Sequence, residues 1–227
     1  MPPLSTCLSL VRMCERPVPG SESTVADLLR REMASLYTNR TNCDNLVMLA
    51  AFQAFLIYAM SLFYKLGQGS HGSVREAMMN LQDLAGLSCR QGLVCNEELQ
   101  RVRPSWEAWI IAEAKRRTLF TMYLFDGVLS SIDGLPTYLG TELQGLPAPA
   151  SKDLWEADTR ELWETSYSLH LADWPTGQLR IDELWPMPEE ADESAILDRR
   201  NRVDRWLEDV DSYSMMLYAV TSCTHGS

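Results

Sequence analysis

The feature that most constrains this chain is the run from Leu46 to Tyr64, LVMLAAFQAFLIYAMSLFY, in which only Gln53 and Ser61 are polar. Such a segment either spans a membrane, which takes about 20 apolar residues, or forms the centre of a helical domain, surrounded on every side. The flanks favour the second fate, because Lys65 is the one nearby charge on its side and no basic cluster sets an orientation. The run therefore reads as a buried central helix over 44–65, with Asp44 or Asn42 as its N-cap; a membrane span is the competing reading. A chain of 227 residues can wrap such a helix in one good core, or in one large and one small. Apolar residues make up 46% of it, and seven tryptophans and eleven methionines are available as filling.

The rest of the chain is patterned for helices that cover this centre. Val25, Leu28, Leu29, Met33 and Leu36 recur at three-and-four spacing and predict an amphipathic helix over 22–38. Gly67, Gly69 and Gly72 break the chain after the central run. A helix over 73–90 follows, with Val74, Met78, Leu81, Leu84 and Leu87 on one face, ending near Gly92. The most regular helix starts at Pro104 and Ser105, with Ser105 as N-cap and Glu107 in the first turn. It carries Trp106, Trp109, Ile110, Leu119, Phe120, Tyr123, Leu124 and Val128, and Gly134 and Pro136 stop it. Residues 134–153, rich in Gly and Pro, read as a long loop packed over the core. Asp158 and Glu161 have capping-box spacing and open a helix to 172. A second loop over 173–193 holds Pro175, Pro186 and Pro188. One last helix is expected over 194–220, with Ile196, Val203, Trp206, Leu207, Val210, Tyr213 and Leu217 on one stripe. Nothing shows the period-two alternation of a strand, so the expected fold is all-α, an irregular multi-helix bundle around a central apolar helix. Residues 1–21 read as an N-terminal extension and 22–227 as one helical domain.

Charge and side-chain chemistry exclude several function classes. The formal net charge is −11 and the pI near 4.7; such a chain repels a phosphate backbone and suits anionic lipid poorly. Direct nucleic-acid binding and membrane attachment are therefore not expected. Cys7, Cys14, Cys43, Cys89, Cys95 and Cys223 contain no C-x-x-C pair, and no two histidines stand at metal-ligand spacing. With Met1-Pro2-Pro3-Leu4 unlike a signal peptide, reduced thiols in the cytosol or nucleus are expected, and no metal or cofactor. His71 sits in a glycine-rich turn and His225 two residues from the end; His170 reads as a packed or surface residue on a helix face, with a catalytic base as the rival reading and nothing else in the sequence pointing to one. Gly67-x-Gly69-x-x-Gly72 has the letters of a dinucleotide fingerprint but follows a helix instead of a strand. Glu97-Glu98 and Glu189-Glu190 read as surface charge in solvated segments. Trp185-Pro186-Met187-Pro188-Glu189-Glu190 reads as a loop, with an acidic-hydrophobic activation segment as the rival.

The segment Glu113-Ala114-Lys115-Arg116-Arg117-Thr118 carries the sharpest polar signal. Glu113 precedes Arg117 by four residues, the favourable order for a helical ion pair. Charge that interrupts an apolar helix must be buried with partners or face something else. It is read as a structural network fixing the packing of the fourth helix, with a contact surface for ligand or protein as the alternative.

These residues also carry a resemblance. Trp106-Glu107-Ala108-Trp109, then Glu113 to Thr118, then Met122-Tyr123-Leu124-Phe125-Asp126 is similar to the signature of the fungal-specific transcription factor domain. Glu142-Leu143-Gln144-Gly145-Leu146-Pro147-Ala148-Pro149 and Leu154-Trp155-Glu156-Ala157 resemble that family's ending, and the likeness covers roughly residues 42–175. It implies an all-α regulatory region acting in the nucleus, placed after a zinc cluster or zinc fingers. Its expected partners are transcriptional co-regulators, a second copy or a small-molecule inducer. Trp106, Trp109, Glu113, Arg116, Arg117, Asp126, Leu154, Trp155 and Glu156 are its structural or interaction motif. No Cys-x₂-Cys-x₆-Cys cluster and no C₂H₂ finger occurs here, so zinc would belong only to a DNA-binding module outside this chain, which is either a fragment or a stand-alone relative. The inducer pocket is expected between helices, lined by Met, Phe and Trp, with the central and fourth helices as walls. The alternative is a helical enzyme or metabolite-binding protein of a fungal biosynthetic pathway, with His170, Tyr123, Asp126 and Glu113 as its polar candidates.

Overall fold

A computed structural model describes residues 2–15, 18, 20–67, 71–137, 140–187 and 190–225. The described residues form ten α-helices and no strand: α1 Pro2–Glu15, α2 Glu22–Thr38, α3 Asn45–Tyr64, α4 His71–Arg90, α5 Asn96–Leu99, α6 Trp106–Ile132, α7 Lys152–Trp155, α8 Arg160–Asp173, α9 Glu193–Glu208 and α10 Ser212–His225. The fold class is the expected one. The helices gather into two compact units, Met1–Gly92 and Leu93–Ser227.

In the first unit α3 is the centre. The Asp44 carboxylate accepts from the Val47 N–H at 2.8 Å and so starts the helix. α1, α2 and α4 all pack on α3, which explains an apolar helix with no polar face. Phe52, Phe55 and Tyr58 of α3, Leu29 and Met33 of α2, and Leu81 and Leu84 of α4 are all buried. Each fully buried side chain of this size contributes about 1.5–3 kcal/mol, so burial alone specifies the helix. α3 is long and apolar enough to cross a membrane, and 67% of its most apolar window is buried inside the protein. α1 lies in the stretch read as an extension; its Cys7 is buried with Sγ 3.9 Å from the Ala54 carbonyl. In the Gly67-x-Gly69-x-x-Gly72 sequence, Gly69 lies outside the described residues, Gly67 ends the turn after α3 at φ +59°, and Gly72 sits in the first turn of α4.

The second unit is organised on α6, which Ser105 caps by accepting from the Ala108 N–H. Four expectations need correction. The single helix over 194–220 is two, α9 and α10, because Asp211 accepts from the Ser214 N–H (2.8 Å) and hydroxyl (2.7 Å) and restarts the helix there. The apolar stripe runs across this break, since periodicity records which face is buried and not which hydrogen bonds are made. The N-cap of α8 is Thr159, accepting from the Leu162 N–H, one residue beyond the Asp158 capping box. The two long loops contain short helical turns, Thr141–Leu143 and Ile181–Leu184. They are joined by Ala148 N–H to Leu179 carbonyl and Ile181 N–H to Leu146 carbonyl bonds, both 2.8 Å. Finally, Glu98 of α5 is not solvated surface charge: its side chain is 1% exposed. Pro188 and Glu189 lie outside the described residues.

Candidate functional site

Three consecutive residues of α6, Lys115, Arg116 and Arg117, are buried, as is Glu113 one turn before. A charge in that position needs partners for its hydrogen-bonding atoms, and for Glu113, Arg116 and Arg117 the second unit supplies them. Glu113 Oε2 accepts from Arg116 Nη2 (2.7 Å) and Nε (3.2 Å), and Oε1 accepts from Arg117 Nε (2.7 Å) and the Ala150 N–H (3.0 Å). Arg116 also donates to the Leu93 carbonyl at 2.7 Å and pairs with Glu98 at 3.3 Å. Arg117 donates to Asp211 Oδ2 at 2.5 Å and to the Ala150 carbonyl at 3.1 Å, and its guanidinium lies 4.3 Å from the centre of the Trp155 ring. The Tyr213 hydroxyl donates to the Arg117 carbonyl at 2.9 Å. α6 is thereby fastened to α5, to the strand-like stretch before α7, and to the start of α10.

The electrostatics follow from this wiring. Burial pushes the Glu113 carboxyl up, but the two guanidiniums and the Ala150 N–H outweigh it and hold it below the usual range. Burial likewise raises Asp211, and the Ser214 bonds with Arg117 carry it below its ordinary value. Both groups are held as anions. A second anchor has the same logic. Glu183, raised by burial but lowered further by Arg202, accepts from Arg202 Nε at 2.7 Å and Nη2 at 2.9 Å. Arg199 of α9 donates to the Glu183 carbonyl at 2.7 Å and to the Trp185 carbonyl. Trp185 is therefore held in a bonded loop, not in a free acidic segment.

Beside the charge junction lies an aromatic cluster. Trp109 and Trp163 pack at 5.4 Å between centroids and Trp163 and Tyr167 at 4.9 Å, with Leu154 and Ala150 buried among them and Trp106 against their edge. Of the motif residues, Glu113, Arg116, Arg117 and Trp155 meet in the junction, and Trp106, Trp109 and Leu154 meet in the cluster that shares Ala150 with it. Glu156 is exposed, 4.0 Å from Lys152. Asp126 is half-buried and nine residues further along α6, about 13 Å at helical rise.

Cavities in this unit include two lined by the described residues. One of ≈ 380 Å³ lies between the later part of α6 and α10, closed by the turns that carry Leu143, Ile181 and Trp185. Its described lining holds no charged side chain; the polar side-chain groups are the hydroxyls of Tyr123, Ser131, Thr137 and Thr221 and the indole N–H of Trp185. Gly140 crosses directly over Tyr123: a Cβ there would stand 2.7 Å from the ring, and the Tyr123 hydroxyl donates to Glu142. The other cavity, ≈ 120 Å³, is lined by Ser166, His170, Asp173, Arg205, Trp206 and Asp209. Burial holds His170 below its usual value. α6, one of the two helices expected to wall an inducer pocket, lines the larger cavity. The second wall of the larger cavity is α10 with the loop turns; α3 belongs to the first unit and lines neither cavity.

The family model of the fungal specific transcription factor domain matches residues 20–199. This chain belongs to that family. No curated protein and no solved structure matches it significantly. Family membership makes this a fungal transcription factor regulatory region, with the nuclear role that implies, and the matched span takes in all nine motif residues. It ends before Asp211 and before Leu217, Val220 and Thr221, so the partner of Arg117 and one wall of the larger cavity lie beyond it. The four polar candidates for an enzyme do not converge in this fungal transcription factor domain. Tyr123 faces the larger cavity, His170 the smaller, and Glu113 and Asp126 line neither. Among the described residues no group of three or more His, Cys, Asp or Glu could hold a metal ion. Sequence reading missed Glu98, Asp211 and the Glu183–Arg202 anchor. Asp211-Ser212-Tyr213-Ser214 carries a helix-start signal that a continuous apolar stripe obscures; nothing local marks the other two.

Proposed function

We propose that this chain controls activation through occupancy of its second unit, by a small-molecule inducer or by a protein partner, with residues 22–227 serving as one regulatory region. The observation that carries the reading is that α6 and α10 share two things. A buried ion pair, Arg117–Asp211, pins the middle of α6 to the start of α10, and from Phe120 on α6 and Leu217 on α10 onward the same helices border a concave cavity. Whatever fills that space bears on both helices, and packed helices respond by discrete shifts instead of gradual bending. Co-regulators and a second copy of the chain are the macromolecular readers of such a shift. The region requires no cofactor of its own, and its acidic surface leaves DNA contact to a separate zinc module. It neither enters nor binds a membrane, and α3 serves as the core of the first unit.

The test is a reporter driven by the chain fused to a heterologous DNA-binding domain. A Cβ added at Gly127, on the cavity wall, meets open space, so Gly127→Leu fills the cavity from within. The expected result is a several-fold change in reporter output at equal protein abundance. Equal output from the two proteins would sink the reading.

A further inference from the structure

Resting on the reading of the second unit as the responsive part, we propose that the cavity between α6 and α10 binds one neutral, largely apolar small molecule. Its volume of ≈ 380 Å³ falls in the range of small-molecule sites, about 300–1,000 Å³. It is a recess and not a flat patch. At its mouth Ile132 is 58% exposed, while Phe120 at 1% and Leu217 at 5% line its depth. A partner helix would need a groove several turns long, whereas this recess is closed by Leu143, Ile181 and Trp185.

The chemistry of the wall sets the class of ligand. Described lining residues are aliphatic, aromatic, glycine or hydroxyl-bearing. An ionised group placed among them would lose its hydration with no counter-charge in return, which is prohibitive. A ligand hydroxyl would find acceptors in the oxygens of Tyr123, Ser131, Thr137 and Thr221, and a ligand carbonyl would accept from the Ser131 or Thr137 hydroxyl, since the Tyr123 and Thr221 protons go to Glu142 and to the Leu217 carbonyl. The charges of the Glu113–Arg116–Arg117–Asp211 junction are consumed by internal pairing and lie outside the cavity, and the Glu142 carboxylate is outside the lining and accepts from the Tyr123 hydroxyl. The ligand is thus a neutral, largely apolar small molecule with a few hydroxyl or carbonyl groups at most. The α10 wall lies beyond the span that the family model matches, and Gly127 leaves α6 open on the cavity side, where a side chain would occupy the space.

Two dyes sharing one ring system test this. N-phenyl-1-naphthylamine is neutral; 8-anilino-1-naphthalenesulfonate is the same scaffold with an added sulfonate. With the purified full chain, the neutral dye should bind one per chain and at least tenfold more tightly than the anion. Gly127→Leu should weaken the neutral dye at least tenfold with the circular dichroism spectrum unchanged. Thr221→Leu, on the opposite wall, provides the same readout should Gly127→Leu fold poorly; the Thr221 hydroxyl donates to the Leu217 carbonyl at 2.8 Å, one turn back on its own helix. Equal binding of the two dyes, or neutral-dye binding that both well-folded variants leave unchanged, overturns the proposal. So does a dimer in light scattering that the neutral dye dissociates, which would make the recess a protein interface. Dye binding without any effect of Gly127→Leu on the reporter would instead leave the site standing and remove the regulatory reading.

Discussion

The two units of this protein are organised on helices of opposite character. α3 has no charged side chain between Asn45 and Tyr64, and three helices bury it. α6 carries Glu113, Lys115, Arg116 and Arg117 in its buried middle and holds them with groups as distant in sequence as Asp211. Apolar burial is non-directional, so α3 tolerates any neighbour of suitable size. Buried charge is directional, and only one set of partners satisfies it. The first arrangement makes a core; the second makes a junction whose geometry is defined and whose disturbance has consequences for every element attached to it.

The sharpest way to break this contrast is Arg117→Ala. It leaves Glu113 and Asp211 short of a counter-charge in the interior, and the expected loss is about 3–5 kcal/mol by chemical denaturation. A normal melting temperature together with a lost partner interaction would show that Arg117 is a contact residue instead. Next comes Leu56→Ala in α3, where a cavity and lost burial should cost about 2–5 kcal/mol; neighbouring apolar exchanges such as Leu56→Met should recover most of it, whereas Arg117→Lys should not restore the junction.

Asp211→Asn should cost about 1–3 kcal/mol near neutral pH and should also flatten the acid limb of stability. Glu113, Glu183 and Asp211 are held below their ordinary values, so the unfolded chain takes up their protons first. Their contribution is complete above about pH 4–4.5, the unfolded range, and disappears as pH falls through the depressed folded values. All three belong to the second unit, which should lose structure in acid before α3 and α4 do, as read by segment-resolved hydrogen exchange. The smallest effect is at the surface. Arg103→Ala removes a 3.6 Å pair with Glu164 in which both side chains are about 40% exposed, and less than about 1 kcal/mol should follow.

The same contrast explains what could be read from the sequence. α2, α3, α4 and α6 are each written in local residues: an apolar run or stripe, a cap at Asp44 or Ser105, and glycines that stop them. The Glu113–Arg117 pair is legible because its members are four apart on one helix, and it is present at 2.7 Å. The rest of the junction depends on long-range pairing. Nothing near Glu98 or Asp211 announces an arginine 18 or 94 residues away. Arg202 is a similar case, since it spends its donors on Glu183 and on the Gly177 and Gln178 carbonyls, tying down a loop that looks unstructured residue by residue. The cavity was legible only by its α6 wall. Its second wall depends on the break at Asp209–Asp211, which redirects α10, and an uninterrupted stripe from Val203 to Leu217 conceals that break.

The most direct test of the account is hydrogen exchange on the wild-type chain and Gly127→Leu under native conditions, since the leucine acts as an occupant that needs no ligand to be known. The account predicts slower exchange in α6 after Phe120 and in α10, with α3 and α4 unchanged. Slowing confined to the turn around residue 127, with α10 exchanging as before, would contradict it, because filling the cavity would then not be felt by the second helix that is meant to carry the signal.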